Sequence, residues 1–222
     1  MKSFDLFVNN YQNSNDDIEV LRDYVNSNRF QTDLKSLSVE ELETIAKRST
    51  IHSNDFKKIV LSTHNGYKLR LHIWNEKPNN QYHEPHDHRW DFKSYVLTGT
   101  MVNRIVEESN SKRTFLKYKS LPMVVGQKRT YEVSDPIGIK GLEDQIITEG
   151  EMYEMGADCI HIAKIPKNTS TSTLFVTSPA KKEFSNLYMP DLKNAPTEHR
   201  LPAFSVTELK ETISNLLLKL VK

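Results

Sequence analysis

The chain has 222 residues and a mass of 25.7 kDa, with 30 Lys plus Arg against 29 Asp plus Glu and a formal net charge of +1. A near-neutral chain without a clustered basic stripe excludes bulk attraction to nucleic acid. The longest aliphatic run, Leu216-Leu217-Leu218, is far too short to span a membrane. One cysteine, Cys159, excludes an internal disulfide framework and any multi-cysteine zinc site. The expectation is a cytoplasmic protein, since the opening MKSFDLFVNNYQ carries Asp5 and lacks the apolar stretch of a signal peptide. It is expected to act on a small molecule, with no nucleic-acid or membrane partner.

The first 55 residues read as helical. In 16–26, Ile18, Leu21 and Val25 fall on one helical face. Ser38 followed by Glu41 is a capping box, after which Val39, Leu42 and Ile45 recur at helical spacing. From about 56 to 180 the period changes to two. FKKIVLST, GYKLRLHIWN, KSYVLTGTMVNRIVEE, RTFLKYKS, KRTYEV, CIHIAKI and STLFVTS are short runs rich in β-branched and aromatic residues, with Gly, Pro, Asn and Asp between them. Seven or more strands without intervening helices imply a sandwich or small barrel. Residues 187–203, with three prolines, read as an ordered surface loop or a cover over the barrel mouth. The third segment, 181–222, ends in a second capping box, Ser205 and Glu208. After it comes an amphipathic stripe of Val206, Leu209, Ile213, Leu216, Leu217 and Leu220. That stripe has two candidate partners, the barrel or a second copy of the chain in a homodimer. The whole, 1–222, reads as one domain.

The chemistry is concentrated in His83-Glu84-Pro85-His86-Asp87-His88-Arg89-Trp90-Asp91. His86 and His88 are two apart, so on an extended strand both imidazoles share a face. Two converging neutral imidazoles suit a borderline divalent metal such as Fe, Zn, Cu, Ni or Co. A third ligand must come from a distant strand, and His161 in Cys-Ile-His-Ile is the natural one. Cys159 shares its face, which suggests a supporting or redox role. His83 reads as a rim residue. Arg70, Lys57 and Arg104 are candidates to orient an anionic substrate, with Trp74 and Trp90 as apolar or cation–π walls. Asp91 is the better placed carboxylate to accept from the second nitrogen of a ligand histidine, because Asp87 points away from His86 and His88 on a regular strand. Tyr153, just before the third-ligand strand, is a candidate proton donor.

These residues resemble the cupin pattern. His86-x-His88 is followed by Gly99 at the expected distance, and Gly156 with His161 fits the second motif. The position of the usual cupin carboxylate falls on Phe92, or on Lys93 if the spacing slips by one. Within cupins the likeness is to thiol dioxygenases of the cysteine dioxygenase type. It runs from about residue 38 to 190, with NGYKLRLHIWNE, His86-Asp87-His88 and STLFVTSP ending in Ser178 and Pro179. The resemblance implies a mainly β, cupin-like barrel (double-stranded β-helix or jelly roll) with N-terminal helices and a C-terminal helix. It also implies a mononuclear Fe(II) held by His86, His88 and His161, with Zn, Ni and Mn as alternatives, and an oxygenase acting with O2 on an amino-acid-like or thiol substrate. Departures weaken the carry-over of the reaction. The family's cross-linking cysteine is replaced by Phe92 or Lys93, and its tyrosine would fall near Val176, where none stands. Its carboxylate-binding arginine has only Lys57 or Lys58 as a match. A metal-dependent cupin isomerase, lyase or hydrolase, or a non-catalytic binding cupin, are the competing expectations.

Overall fold

The computed structural model describes residues 3–52, 56–75, 84–111, 114–121, 131–134, 136–190 and 204–221. Four helices come first, α1 (Ser3–Gln12), α2 (Asp17–Asn26), α3 (Arg29–Lys35) and α4 (Val39–Arg48). Local chemistry sets their starts. Asp16 accepts from the Glu19 amide at α2. At α4 the expected box closes in both directions, with Glu41 N–H donating to Ser38 Oγ at 3.2 Å and Ser38 N–H donating to Glu41 Oε2 at 2.9 Å. α1 and α3 lack such sequence signals and went unpredicted as separate helices.

Twelve strands follow: β1 (Thr50–Ile51), β2 (Phe56–His64), β3 (Tyr67–Trp74), β4 (Phe92–Thr98), β5 (Thr100–Ser109), β6 (Leu116–Ser120), β7 (Tyr131–Val133), β8 (Gly138–Thr148), β9 (Met152–Met155), β10 (Ile160–Lys164), β11 (Thr171–Thr177) and β12 (Ser185–Met189). The last helix, α5 (Val206–Leu220), begins with the second capping box. No helix among the described residues is long and apolar enough to cross a membrane.

The strands form a six-stranded antiparallel sheet, β1-β2-β3-β11-β4-β9, and a second layer made of β10-β5-β8 and β12-β6-β7. The chain is therefore mainly β, a cupin-like barrel with helices before and after it. Parity along the strands assigns the two faces of the six-stranded sheet. Ile59, Leu61, Leu69, Leu71, Tyr95, Leu97, Leu174 and Val176 pack under the helices, against Phe7, Leu21, Leu42, Ile45, Leu209 and Ile213. Arg70, His72, Trp74, Phe92, Ser94 and Phe175 alternate with them on the barrel side. The alternation along β3 turns its more polar positions to the barrel interior, where Arg70 and His72 are only 7% and 8% exposed.

Three sequence expectations need correction. Residues 187–189, read as loop, belong to β12, while the rest of that stretch from 191 on lies outside the described residues. β8 went unseen because GIKGLEDQIIT carries two glycines and an exposed run, as suits an edge strand. KSYVLTGTMVNRIVEE is two strands, broken at Gly99, whose φ of 78° turns the chain. A Cβ there would collide with Ser170 O, so both the turn and the close approach require glycine. The stripe of α5 is used within the chain, with Leu209, Ile213 and Leu216 buried in the helix–sheet core. Each such side chain contributes about 1.5–3 kcal/mol.

Candidate metal centre

His86 sits alone between two strands, bridging His161 of β10 and Leu187 of β12. Its amide donates to His161 O at 3.0 Å, and the His161 amide donates back to His86 O at 2.9 Å. Two residues that exchange both bonds lie directly opposite each other, so their side chains leave on the same side. Their ring centroids are 4.7 Å apart. His88, two residues on, has its amide held by Ala157 O at 3.2 Å, and its ring lies 5.0 Å from His86 and 5.2 Å from His161. One ligand nitrogen from each of the three lies within 4.8 Å of the others.

Hydrogen bonds select the nitrogens. His86 Nδ1–H donates to Glu84 O at 2.9 Å, and His161 Nδ1–H donates to Asn103 Oδ1 at 3.3 Å. This assignment puts the ring lone pair of both on Nε2, the nitrogen that would coordinate. His88 Nε2 is 3.0 Å from His161 Nε2. Two imidazoles bound at about 2.1 Å and a right angle would place their nitrogens roughly 3.0 Å apart. Burial pulls His86 below its ordinary value, opposed by the Glu84 carbonyl. Burial, then His86, His161 and Arg70, push His88 well below it. Both rings are therefore neutral at pH 7, with lone pairs available. The donor set fits a divalent metal ion.

No carboxylate joins this group among the described residues. Phe92 stands edge-on to His88 at 5.0 Å and stacks on Phe175 at 4.3 Å. Lys93 is on the opposite face of β4, paired with Asp17 of α2 and with Glu154. A one-residue slip therefore supplies no ligand either.

The remaining expected site residues separate into two groups. Arg70 and Trp90 reach the histidines. The guanidinium lies 4.7 Å from the Trp90 ring, and that ring stacks near His88 at 6.0 Å. Arg70 Nε is buried without a hydrogen-bond partner, and burial with Arg89 pulls the group down to about 10, so it stays cationic at neutral pH. Trp74 lies two strand repeats beyond Arg70 on β3, packed with Val96, Met101 and Ile147. Tyr153 lies beside Ser94 and Asn103. Burial pushes its phenol up to about 12 against the pull of these two groups, so it stays protonated. Cys159 is half-buried against the Phe92, Met155 and Phe175 cluster, and burial raises its thiol, so no thiolate is poised there.

Lys57 and Arg104 are corrections. Lys57 is on the helix face of β2, where Nζ donates to Thr212 Oγ1 of α5 at 2.8 Å. Arg104 is on the outer face of β5, bound to Asp144 at 2.5 and 2.6 Å. Strand parity decides both, because their neighbours Lys58 and Asn103 point inward. Asp91 is a third correction. It accepts from the Ala157 amide at 2.8 Å and pairs with Lys181, so it braces the loop that holds His88 and does not reach a ring nitrogen. His83 lies outside the described residues.

Sequence reasoning missed Asn103, the partner of His161, although a lone amide among β-branched residues in TMVNRIV was a signal for it. It also understated Asp87. That carboxylate, 4% exposed, accepts from the Asn186 amide at 2.6 Å, from Asn186 Nδ2 and from Lys182 Nζ at 2.9 Å. It thereby pins β12 behind the histidine segment.

No family model matches this sequence, and no curated protein does. Solved structures do. An RmlC-like cupin from Shewanella frigidimarina is 14% identical, with 60% of this chain and 85% of that chain covered and a TM-score of 0.36. Hydroquinone 1,2-dioxygenase from Sphingomonas sp. TTNP3 is 10% identical over 55% of this chain and 66% of that chain, with a TM-score of 0.35. An oxalate oxidase is 10% identical over 70% of this chain and 64% of that chain, with a TM-score of 0.34. Values this low carry no argument about activity, which rests on the site.

Proposed function

We propose that this chain is a mononuclear metal-dependent oxygenase of the thiol dioxygenase type. In this reading His86, His88 and His161 hold Fe(II), and the substrate is a small amino-acid-like or thiol carboxylate. The observation that carries the proposal is the convergence of three neutral imidazoles with no carboxylate among them. When bound, a metal ion at three uncharged ligands keeps its full positive charge and open positions, supplying Lewis acidity and, as iron, redox chemistry toward O2.

The chain's own residues do the rest. Arg70 is a buried cation with an unpaired N–H, suited to fix a substrate carboxylate near the histidines. Trp90, Phe92 and Phe175 form apolar walls that exclude water and strengthen that contact. Asn103 holds the tautomer of His161 and sets the Tyr153 hydroxyl near it. The protonated Tyr153 also supports a second reading, a Lewis-acid isomerase or lyase in which the phenol donates a proton.

Elemental analysis of untagged protein, followed by O2 uptake with small thiols and amino acids, separates the two readings. Near-stoichiometric iron with substrate-dependent O2 uptake is expected. Zinc, nickel or manganese with no O2 uptake supports the second reading. His161→Ala that keeps full metal content refutes both.

A further inference from the structure

On the helix side of the six-stranded sheet, away from the histidines, the end of α5 roofs a cavity of about 380 Å³. Lys57, Ile73, Thr98 and Ser172 line it from the sheet, and Thr212 and Lys219 from the helix. Two ammonium groups therefore share one cavity, and no carboxylate is among the described residues that line it.

Each ammonium is hydrogen-bonded to a neutral hydroxyl. Lys57 Nζ donates to Thr212 Oγ1 at 2.8 Å, and Lys219 Nζ donates to Ser170 Oγ at 2.7 Å. Elsewhere the pattern differs, since Lys93, Lys117, Lys119, Lys140, Lys181 and Lys182 each meet a carboxylate. Glu208, one turn before Thr212 on α5, feels the charge of Lys57, but its Oε2 is committed to the amide and hydroxyl of Ser205. An ammonium has three donors, so each lysine keeps donors beyond its bond to a hydroxyl. Thr98 and Ser172 bond each other at 2.8 Å and Ser170 donates to Trp74 O at 3.4 Å, so Thr212, which accepts from Lys57, is the lining hydroxyl that can add a donor. Two compact point charges match the charge of a phosphomonoester, about −1.5 to −2 at pH 7, better than the single charge of a carboxylate.

We infer that this cavity is a second ligand site, independent of the metal centre, that takes a small phosphoryl-bearing anion between Lys57 and Lys219. The ligand bridges α5 to the ends of β2 and the segment before β11. Ile73, Leu216 and Leu218 offer an apolar wall beside the charged end, so a phosphomonoester with a short alkyl body gains contacts that free phosphate lacks.

The test is calorimetric titration of metal-free protein with inorganic phosphate and with n-butyl phosphate, at constant ionic strength against chloride. One saturable site per chain is expected, weakened at least tenfold in Lys57→Met/Lys219→Met. His86→Ala should leave the binding intact, so loss of the metal reading does not carry this one with it. Tighter binding of butyl phosphate assigns the site to a phosphomonoester, and equal binding assigns it to free phosphate. If circular dichroism shows the double variant unfolded, Lys219→Met alone, at an exposed position, replaces it with the same expected direction. Absence of saturable binding at millimolar concentration overturns the inference. So does unchanged affinity in a folded lysine variant, or binding that chloride matches.

Discussion

Replacing Asn103 by Leu isolates the contribution of one amide to the metal centre. Asn103 is fully buried, and its Oδ1 is the acceptor for His161 Nδ1–H. Leucine keeps the branched shape and the number of side-chain heavy atoms, so no cavity opens, but the Nδ1–H loses the Asn103 acceptor. An orphaned buried donor costs about 1–3 kcal/mol. The bond is long, at 3.3 Å, which favours the lower end, about 1.4 kcal/mol, or roughly a tenfold change in an equilibrium constant. That matches the lower end of the roughly 10–100-fold loss seen when groups behind metal ligands are removed. Competition with a chelator for Zn(II) or Co(II) should therefore show about tenfold weaker binding in Asn103→Leu. Asn103→Asp, which restores a stronger acceptor, should bind at least as tightly as the parent. Tyr153→Phe should leave affinity unchanged, because the phenol does not touch a ligand nitrogen. Equal metal affinity in the parent and Asn103→Leu would refute the tautomer assignment at His161.

Further expectations concern stability. His72 lies between Phe56 and Phe175, with ring centroids 4.8 Å away on each side, and burial followed by Arg70 and Lys58 holds it well below its ordinary value. The unfolded chain takes up its proton near pH 6.5, whereas the folded one does so only at lower pH. The contribution is therefore complete above about pH 6.5 and is lost as pH falls below it, by up to about 1.4 kcal/mol per pH unit. His72→Phe should reduce that slope in urea unfolding of metal-free protein by about one proton, and an unchanged slope would contradict the assignment. Asp87→Ala should cost about 3 kcal/mol, because it strands two buried donors, the Asn186 amide and Asn186 Nδ2, while Lys182 keeps Asp158. A loss below about 1 kcal/mol in urea unfolding would show that Asp87 does not pin β12. Gly99→Ala should lower stability by about 2 kcal/mol or more, through the positive φ and the clash with Ser170 O. A melting temperature equal to the parent's would count against that turn.

Local signals were readable wherever the chain itself supplies the partner. Ser38 with Glu41 and Ser205 with Glu208 close their boxes within one turn, so the starts of α4 and α5 follow from four residues each. The period-two pattern placed most strands, because side-chain alternation is a property of the extended backbone. It failed at β1, β8, β9 and β12. β8 is an exposed edge strand, β12 is held in place by Asp87, 99 residues earlier in the chain, and β1 and β9, of two and four residues, are too short for alternation to register.

Residue type and spacing alone singled out His86, His88 and His161 as one constellation. The resemblance to the cupin pattern, not spacing alone, marked Phe92 or Lys93 as standing where that pattern has a carboxylate. Three things waited on tertiary structure. One is the face to which each strand's odd and even residues turn, which sent Lys57 to the helices, Arg104 to the outer surface and Arg70 to the interior. Another is the identity of the groups behind the ligands, which proved to be Asn103 and the Glu84 carbonyl in place of Asp91. The last is the pair of lysines brought together from positions 57 and 219. Spacing along a strand is set by covalent geometry, whereas the direction of a face and the partner across a sheet are set by which distant segment packs against it.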